Sequence, residues 1–366
     1  MNNSSQPVPG PGKKKNKIDL GFIRIPRSIL PIVEKVFLLF IVALAIYYFF
    51  PKISSFEETL YIFSSLNFWA VLLAIAAQIL RTWYGGYTLK ECVNISEKKI
   101  STLQATLISM ASYSFGLVAG GMVGGTATTY RWVVVSGGNK EGASLGSIIP
   151  SIFLSFAYTA VSMIGMVFLL TINNLSTFQI VTFSMISIFL ALIAIALVLI
   201  VKYQDKSVSV IIKIASVLYR IFKKDLSEEK LTRELQKLFN AWNRLAHGGW
   251  KKPVIGSFLN VGLDVLTVFF LFWAAGTYPS ALAVITGYGL PNLFGRMAFM
   301  IPGGVGLIES TMVALYNSLG IDNSVTTVVM LTYRFLSFWL PSILGFFFLP
   351  YFNRLTDNHY KELAEE

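Results

Sequence analysis

The sequence predicts an all-α polytopic membrane protein of about eight transmembrane segments, six full crossings plus two Gly/Pro-broken re-entrant hairpins, arranged as an inverted-topology repeat. Three observations predict it. The 366 residues are 54% apolar, 14% aromatic and only 13% charged, with a mean hydropathy of +0.63, whereas soluble domains carry about 25% charged residues. Several apolar runs reach roughly 20 residues, the length that crosses the hydrocarbon core. Lys and Arg collect in particular loops, and that bias fixes the side each loop occupies.

The elements follow in chain order. "MNNSSQPVPGPGKKKNK" opens the chain and is rich in Pro, Gly, Asn and Ser before it turns basic. Residues 1–28 are expected to form a disordered basic tail, with Lys13, Lys14, Lys15 and Lys17 near anionic headgroups. The apolar run that follows ends "IYYFFPK" without a small-residue cleavage site, so it reads as a crossing and not as a cleaved signal. Full crossings fall at approximately 29–50, 67–89, 146–171, 178–202, 254–276 and 324–350, while 103–130 and 281–320 are apolar but interrupted by Gly and Pro.

Charge connects these segments. Residues 1–35 hold seven Lys/Arg, and residues 203–252 hold eleven against five acids, so both are placed inside. The first two runs go out and back, leaving 90–102 inside. Runs 146–171 and 178–202 form a pair whose second end is inside, so 131–145 is inside as well. Region 103–130 therefore starts and ends on one face, and the same parity puts both ends of 281–320 outside. Crossing, crossing, broken hairpin, crossing then occurs twice with opposite starting sides. Repeat one is 29–171 and repeat two is 178–350, with 351–366 a cytoplasmic tail. This gives a multi-pass protein of the cell (cytoplasmic) membrane with both termini cytoplasmic. Transporters commonly use such inverted repeats; ordinary kinked helix pairs are the other reading of the broken regions.

The insertion 203–252 contains "DLSEEKLTRELQKLFNAWNRL", where Asp225 and Glu228 stand at capping-box spacing. Leu231, Leu235, Leu238, Trp242 and Leu245 recur at helical spacing. An amphipathic helix on the inner surface or against the bundle is expected, touching anionic lipid or a separate lipid synthase.

Several function classes are excluded. The net charge of +11 is accounted for by cytoplasmic loops, so no nucleic acid partner is implied. Cys92 alone makes no disulfide framework, and His247 and His359 both lie in polar segments; no metal site and no cofactor is expected. "GGMVGGTATTY" lacks the Lys-Ser/Thr ending of a P-loop.

Ionisable groups inside membrane segments are costly and usually functional. Five stand out: Arg81, Asp264, Arg296, Glu309 and Arg334. Arg81 is close enough to its segment's inner end to snorkel. Asp264 and Arg334 lie near the middles of their crossings, and either neutralise one another or meet a ligand. In "FMIPGGVGLIESTM", Pro302 stops the incoming helix, and Gly303, Gly304 and Gly306 permit a sharp turn. A second helix beginning near Gly306 would aim its free N–H groups and positive dipole end at an anion, phosphate above all. Broken backbone at membrane depth survives only in protein or beside water, so a polar cavity near the midplane is expected. Glu309 either caps that helix, pairs with Arg296 or serves a proton-linked site. Arg296 carries the planar fork that suits a lipid phosphate.

The first hairpin, "FGLVAGGMVGGTATTYRWVVVSGG", repeats the logic with Gly120, Gly121, Gly124 and Gly125. Thr126, Thr128 and Thr129 supply hydroxyls for freed backbone groups. Tyr130 and Trp132 flank Arg131 at the inner interface, as an aromatic belt does. Spaced glycines also serve close helix packing.

"TYRWVVVSGG", the crossing after it, and "IPGGVGLIESTMVALYNSLG" together resemble the lysylphosphatidylglycerol synthase transmembrane (flippase-like) family over about residues 30 to 350. The second motif is the more specific: Pro-Gly-Gly-x-Gly, a Glu three residues on, an apolar helix, then Gly. Many members carry Pro-Gly-Arg-x-Gly-Glu in the first hairpin, and here that Arg and Glu are missing. Thr129 stands where one branch often has Arg, which counts against a lysine-bearing headgroup. Only a short tail follows residue 350, so a stand-alone member without the aminoacyl-transferase domain is expected. The resemblance implies a membrane-resident lipid translocase domain and not the synthase reaction.

The leading expectation is transbilayer translocation, flippase- or scramblase-like, of a polar-headgroup lipid: an anionic or modified phospholipid or a polyprenyl-phosphate-linked lipid. Arg296, Arg131 and the two glycine breaks would line its path. The alternatives are a non-transporting scaffold for a lipid synthase, working through 203–252, and a lipid-headgroup-modifying membrane enzyme. The enzyme reading lacks a nucleophile–base pair to start from.

Overall fold

Several helix starts in this chain are set by capping side chains. Asn67 accepts from the Ala70 N–H at 3.2 Å and opens α1, Phe68–Val93. Ser101 and Gln104 form a reciprocal capping box at the start of α2, Thr102–Val118. α3 is Met122–Val135. Asn139 caps α4, Lys140–Thr171, through the Gly142 N–H. α5 spans Lys251–Ala274, α6 Ala281–Met297 and α7 Leu307–Ser318. Asp322 accepts from two N–H groups to start α8, Asn323–Arg334. A π-turn at Phe335–Trp339 leads into α9, Leu340–Glu365.

This computed structural model describes residues 64–96, 98–119, 121–172, 241–297 and 302–365, with residues 17–19, 24–26 and a few single positions. The expected crossing at 29–50, almost all of that at 178–202, most of the insertion 203–252, and Gly120 lie outside the described residues. Contacts divide the chain into a unit of Met1–Ser54 and a unit of Ser55–Glu366. In the first, Lys17–Asp19 pairs antiparallel with Arg24–Pro26, Ile18 opposite Ile25. The second is helical throughout its described elements.

Among the described residues, four stretches are long and apolar enough to cross a membrane: Phe68–Val93, Lys140–Thr171, Lys251–Ala274 and Asn323–His359. They match the expected runs 67–89, 146–171, 254–276 and 324–350. The last continues as helix well past 350, through Glu365. Each broken region is a helix pair, α2 with α3 and α6 with α7. Trp242 and Leu245, the final two positions of the stripe expected in the insertion, pack on Cys92, Leu145 and Ile149.

The packing is reciprocal. α1 lies along α5. α4, which follows the first broken pair, packs on α6 of the second; α9, which follows the second, packs on α2 of the first. Both crossings bring backbones close through a glycine. A β-carbon on Gly165 would sit 2.8 Å from the Thr286 Cα, and one on Gly345 would sit 2.4 Å from the Met110 carbonyl oxygen. Each also carries a hydroxyl bond between the helices: Thr286 Oγ1 donates to the Gly165 carbonyl at 3.4 Å, and Ser114 Oγ to the Ser342 carbonyl at 2.8 Å. Small residues with interhelical hydroxyl bonds are how membrane helices associate when lipid removes the hydrophobic drive. Between the crossings, Val261, Val268 and Phe272 of α5 form a core with Met312 and Tyr316 of α7 and Met330 of α8.

Candidate functional site

Gln78 and Arg81 are three residues apart on α1 and therefore share a face, the one turned to α5. Asp264 of α5 is fully buried. Gln78 Nε2 donates to its Oδ1 at 2.7 Å and to Thr267 Oγ1 at 3.0 Å. Arg81 Nε lies 3.2 Å from Oδ2, close enough for charge attraction but off hydrogen-bond geometry. Three phenols converge on the same oxygen: Tyr288 at 2.8 Å, Tyr333 at 3.0 Å and Tyr158 at 3.4 Å. They come from α6, α8 and α4. The π-turn contributes too: its Ser337 carbonyl accepts from Arg81 Nη1 at 3.3 Å. A π-turn releases carbonyls from the regular ladder, and such turns recur at functional sites.

A second charged pair holds the glycine turn. Arg334 Nε is 2.5 Å from Glu309 Oε1, with both side chains buried. The other Glu309 oxygen accepts the Gly306 N–H at 2.7 Å. Arg334 Nη2 donates to the Gly303 carbonyl at 3.0 Å, and its guanidinium lies 4.5 Å from the Phe338 ring centre. Gly303 has φ 65°, and a β-carbon there would fall 2.0 Å from that ring. Glycine is required twice over at this position, by conformation and by space.

These pairs correct three expectations. Asp264 is neutralised by Arg81 and not by Arg334; Arg334 is neutralised by Glu309, which leaves Glu309 no bond to Arg296. Arg81 does not snorkel, because its guanidinium is engaged in the interior. The helix end offered by Gly306 is also met from within: Glu309 caps it with its own carboxylate, which satisfies the dipole that a ligand anion would otherwise meet. Pro302, Gly303 and Gly304 form a tight turn ahead of that cap, with both glycines at positive φ.

Arg296 stands apart. It is on the last turn of α6, is exposed, and places its Cζ 4.1 Å from the centre of the Tyr158 ring. Tyr158 in turn stacks on Tyr288 with ring centres 6.0 Å apart and planes at 21°. Among the described residues no carboxylate forms an ion pair with Arg296.

The first hairpin residues occupy another layer. Gly121, with φ 63°, precedes α3, and a β-carbon on Gly124 would overlap the Ala119 carbonyl at 1.7 Å. Gly125 lies against Ser112 and Gly116 of α2. Thr126, Thr128 and Thr129 all bond carbonyls of their own helix, at 2.8 to 2.9 Å. Tyr130 packs against the cluster that contains Leu89, Val93 and Trp132; Leu89 is about 16 Å along α1 from Gln78 at 1.5 Å per residue. Arg131 is half-buried beside it. A cavity of about 440 Å³ opens near this layer, lined by Lys98, Lys140, Glu141, His359 and the Gly137–Asn139 turn. It shares no residue with the arginine layer around Asp264. No group of His, Cys, Asp and Glu among the described residues is placed to hold a metal.

Sequence reading missed Gln78, Tyr158, Tyr288 and Tyr333. The spacing of Gln78 and Arg81 was a usable signal, since two polar groups three apart in an apolar run mark one buried face. The tyrosines carried none, being single residues on three distant helices.

A sequence profile described as the lysylphosphatidylglycerol synthase TM region matches residues 35–345. A UPF0104 membrane protein of Pyrococcus horikoshii is 27% identical over 150 residues, 39% of this chain and 44% of that one. One from Methanothermobacter thermautotrophicus is 33% identical over 96 residues, 26% and 28% of the two chains. One from Methanocaldococcus jannaschii is 24% identical over 174 residues, 46% and 51%. The chain spans about half or less of the length of these relatives.

Proposed function

Because the chain belongs to the lysylphosphatidylglycerol synthase transmembrane-region family, we propose that it carries a lipid with an anionic headgroup across the bilayer, and that Arg296 meets the headgroup. One observation carries this reading. Among the described residues, Arg81 and Arg334 are each paired with a buried carboxylate, and the exposed Arg296 is not. An unmatched, exposed guanidinium at membrane depth is costly unless an anion or water completes it. The planar fork suits phosphate oxygens.

The inverted repeat and the re-entrant hairpins belong to the same proposal. Their support is the reciprocal packing, in which each half lends its closing helix to the other half's broken pair. A carrier built this way alternates by rocking one half against the other around a fixed site. Arg131 is a second basic contact at the inner interface, and exchange is driven by mass action or a gradient.

The test is transbilayer exchange of fluorescent phosphatidylglycerol in liposomes containing the purified chain. Wild type accelerates exchange over protein-free liposomes. Arg296→Ala slows it about tenfold, the effect of losing a charged hydrogen bond worth ~1.5 kcal/mol. An unchanged rate in Arg296→Ala overturns the role of Arg296. No acceleration with any headgroup overturns translocation and favours the scaffold.

A further inference from the structure

We infer that Tyr158 is a positioning residue for Arg296, holding its guanidinium against a ring in place of a carboxylate so that the fork faces a phosphodiester with its charge and donors intact. The inference rests on the reading of Arg296 as the headgroup contact. It explains how a cation is kept in place at membrane depth without being neutralised.

The three arginines show the alternatives. Arg81 and Arg334 are fixed by carboxylates and by backbone carbonyls, which use up donors and cancel charge. Arg296 is instead placed over a ring, its Cζ 4.1 Å from the Tyr158 centroid. A guanidinium lying on a ring keeps its N–H groups directed outward in its own plane, so stacking orders the group without consuming them. The Tyr158 ring is itself held: it stacks on Tyr288, whose hydroxyl bonds Asp264 at 2.8 Å. The ring that meets Arg296 is thus tied, through Tyr288, to the fully buried Asp264.

The Tyr158 hydroxyl is the least essential part. Asp264 Oδ2 already receives Tyr288 and Tyr333 at 2.8 and 3.0 Å, and Tyr158 stands farther off at 3.4 Å. A carboxylate oxygen has about two lone pairs. The ring should therefore matter far more than its oxygen.

The experiment measures the half-saturating concentration of short-chain phosphatidylglycerol in the exchange assay, together with the melting temperature. Tyr158→Phe keeps half-saturation within about twofold of wild type, because the cation–π face is retained. Tyr158→Leu raises it about fivefold to tenfold, the range of an exposed to partly desolvated cation–π contact, while the maximal rate is kept. Arg296→Lys raises it at least as much, since an ammonium has no fork. Equal losses in Tyr158→Phe and Tyr158→Leu overturn the ring's role, as does wild-type behaviour of Tyr158→Leu. If Tyr158→Leu fails to fold, the decision passes to Tyr158→Phe and Arg296→Lys: the first must retain half-saturation and the second must lose it. A loss in Arg296→Ala alone leaves the headgroup reading standing and removes Tyr158; no loss in any variant removes the headgroup reading. Inorganic phosphate added as competitor separates the sources: no competition supports a lipid headgroup, and competition at equal concentration overturns it in favour of free phosphate.

Discussion

Between α2 and α3 the chain turns on small residues: Gly121 takes a positive φ, Gly124 lies under the Ala119 carbonyl, and Gly125 lies against Gly116. Between α6 and α7 it turns on charge: Glu309 caps Gly306 and grips Arg334, which reaches back to Gly303. The first turn depends on space. The second depends on a partner, because neither Glu309 nor Arg334 is tolerable alone when buried. Turns alike in topology thus fail in different ways when altered. The missing Arg and Glu of the first motif are no deficit if glycine packing closes that turn.

The largest effect is expected at the charged turn. Glu309→Gln leaves Arg334 buried without a counter-charge and should cost about 3–5 kcal/mol, read as a large fall in melting temperature in detergent. Adding Arg334→Met to the same chain should recover most of that loss, since an apolar pair of similar volume is often neutral. Failure of the second change to rescue would show that the turn needs the pair for more than charge balance. Next comes the packed turn: Gly124→Ala forces a β-carbon onto a backbone oxygen and should cost roughly 1–3 kcal/mol by overpacking, with no dependence on pH or salt. The smallest effect is expected where a hydroxyl joins the halves. Ser114→Ala removes the interhelical donor to the Ser342 carbonyl and should cost about 1 kcal/mol. Thr286→Val at the matching crossing should cost less, its bond being longer at 3.4 Å. The reverse order would mean that the two crossings are not equivalent.

Much of this was legible in advance. Apolar length placed the four described crossings, and Gly and Pro placed both interruptions, because backbone geometry is encoded locally. The out-of-place charges Asp264, Arg296, Glu309 and Arg334 were also visible, since an ionised group in an apolar run needs a reason. Their partners were not. Arg81 meets Asp264 across 183 positions, as their numbers show, and which arginine reaches which acid depends on helix rotation and depth. Those are set by contacts such as Gly165 on Thr286, which no local pattern announces. Tyr158, Tyr288 and Tyr333 were invisible for the same reason. Aromatic residues are ordinary in such helices, and only convergence on Asp264 separates these three from the rest.

The crossing of α9 over α2 bears on how the molecule is made. Ser114 and its acceptor Ser342 are separated by 228 residues. At a synthesis rate of about 5–20 residues per second, α2 waits on the order of 10 to 45 s for its cover to emerge. During that interval the Ser114 face must shelter against lipid, another helix or an insertion factor. Chains truncated before residue 340 should stay permanently in that condition and be early substrates for membrane proteolysis.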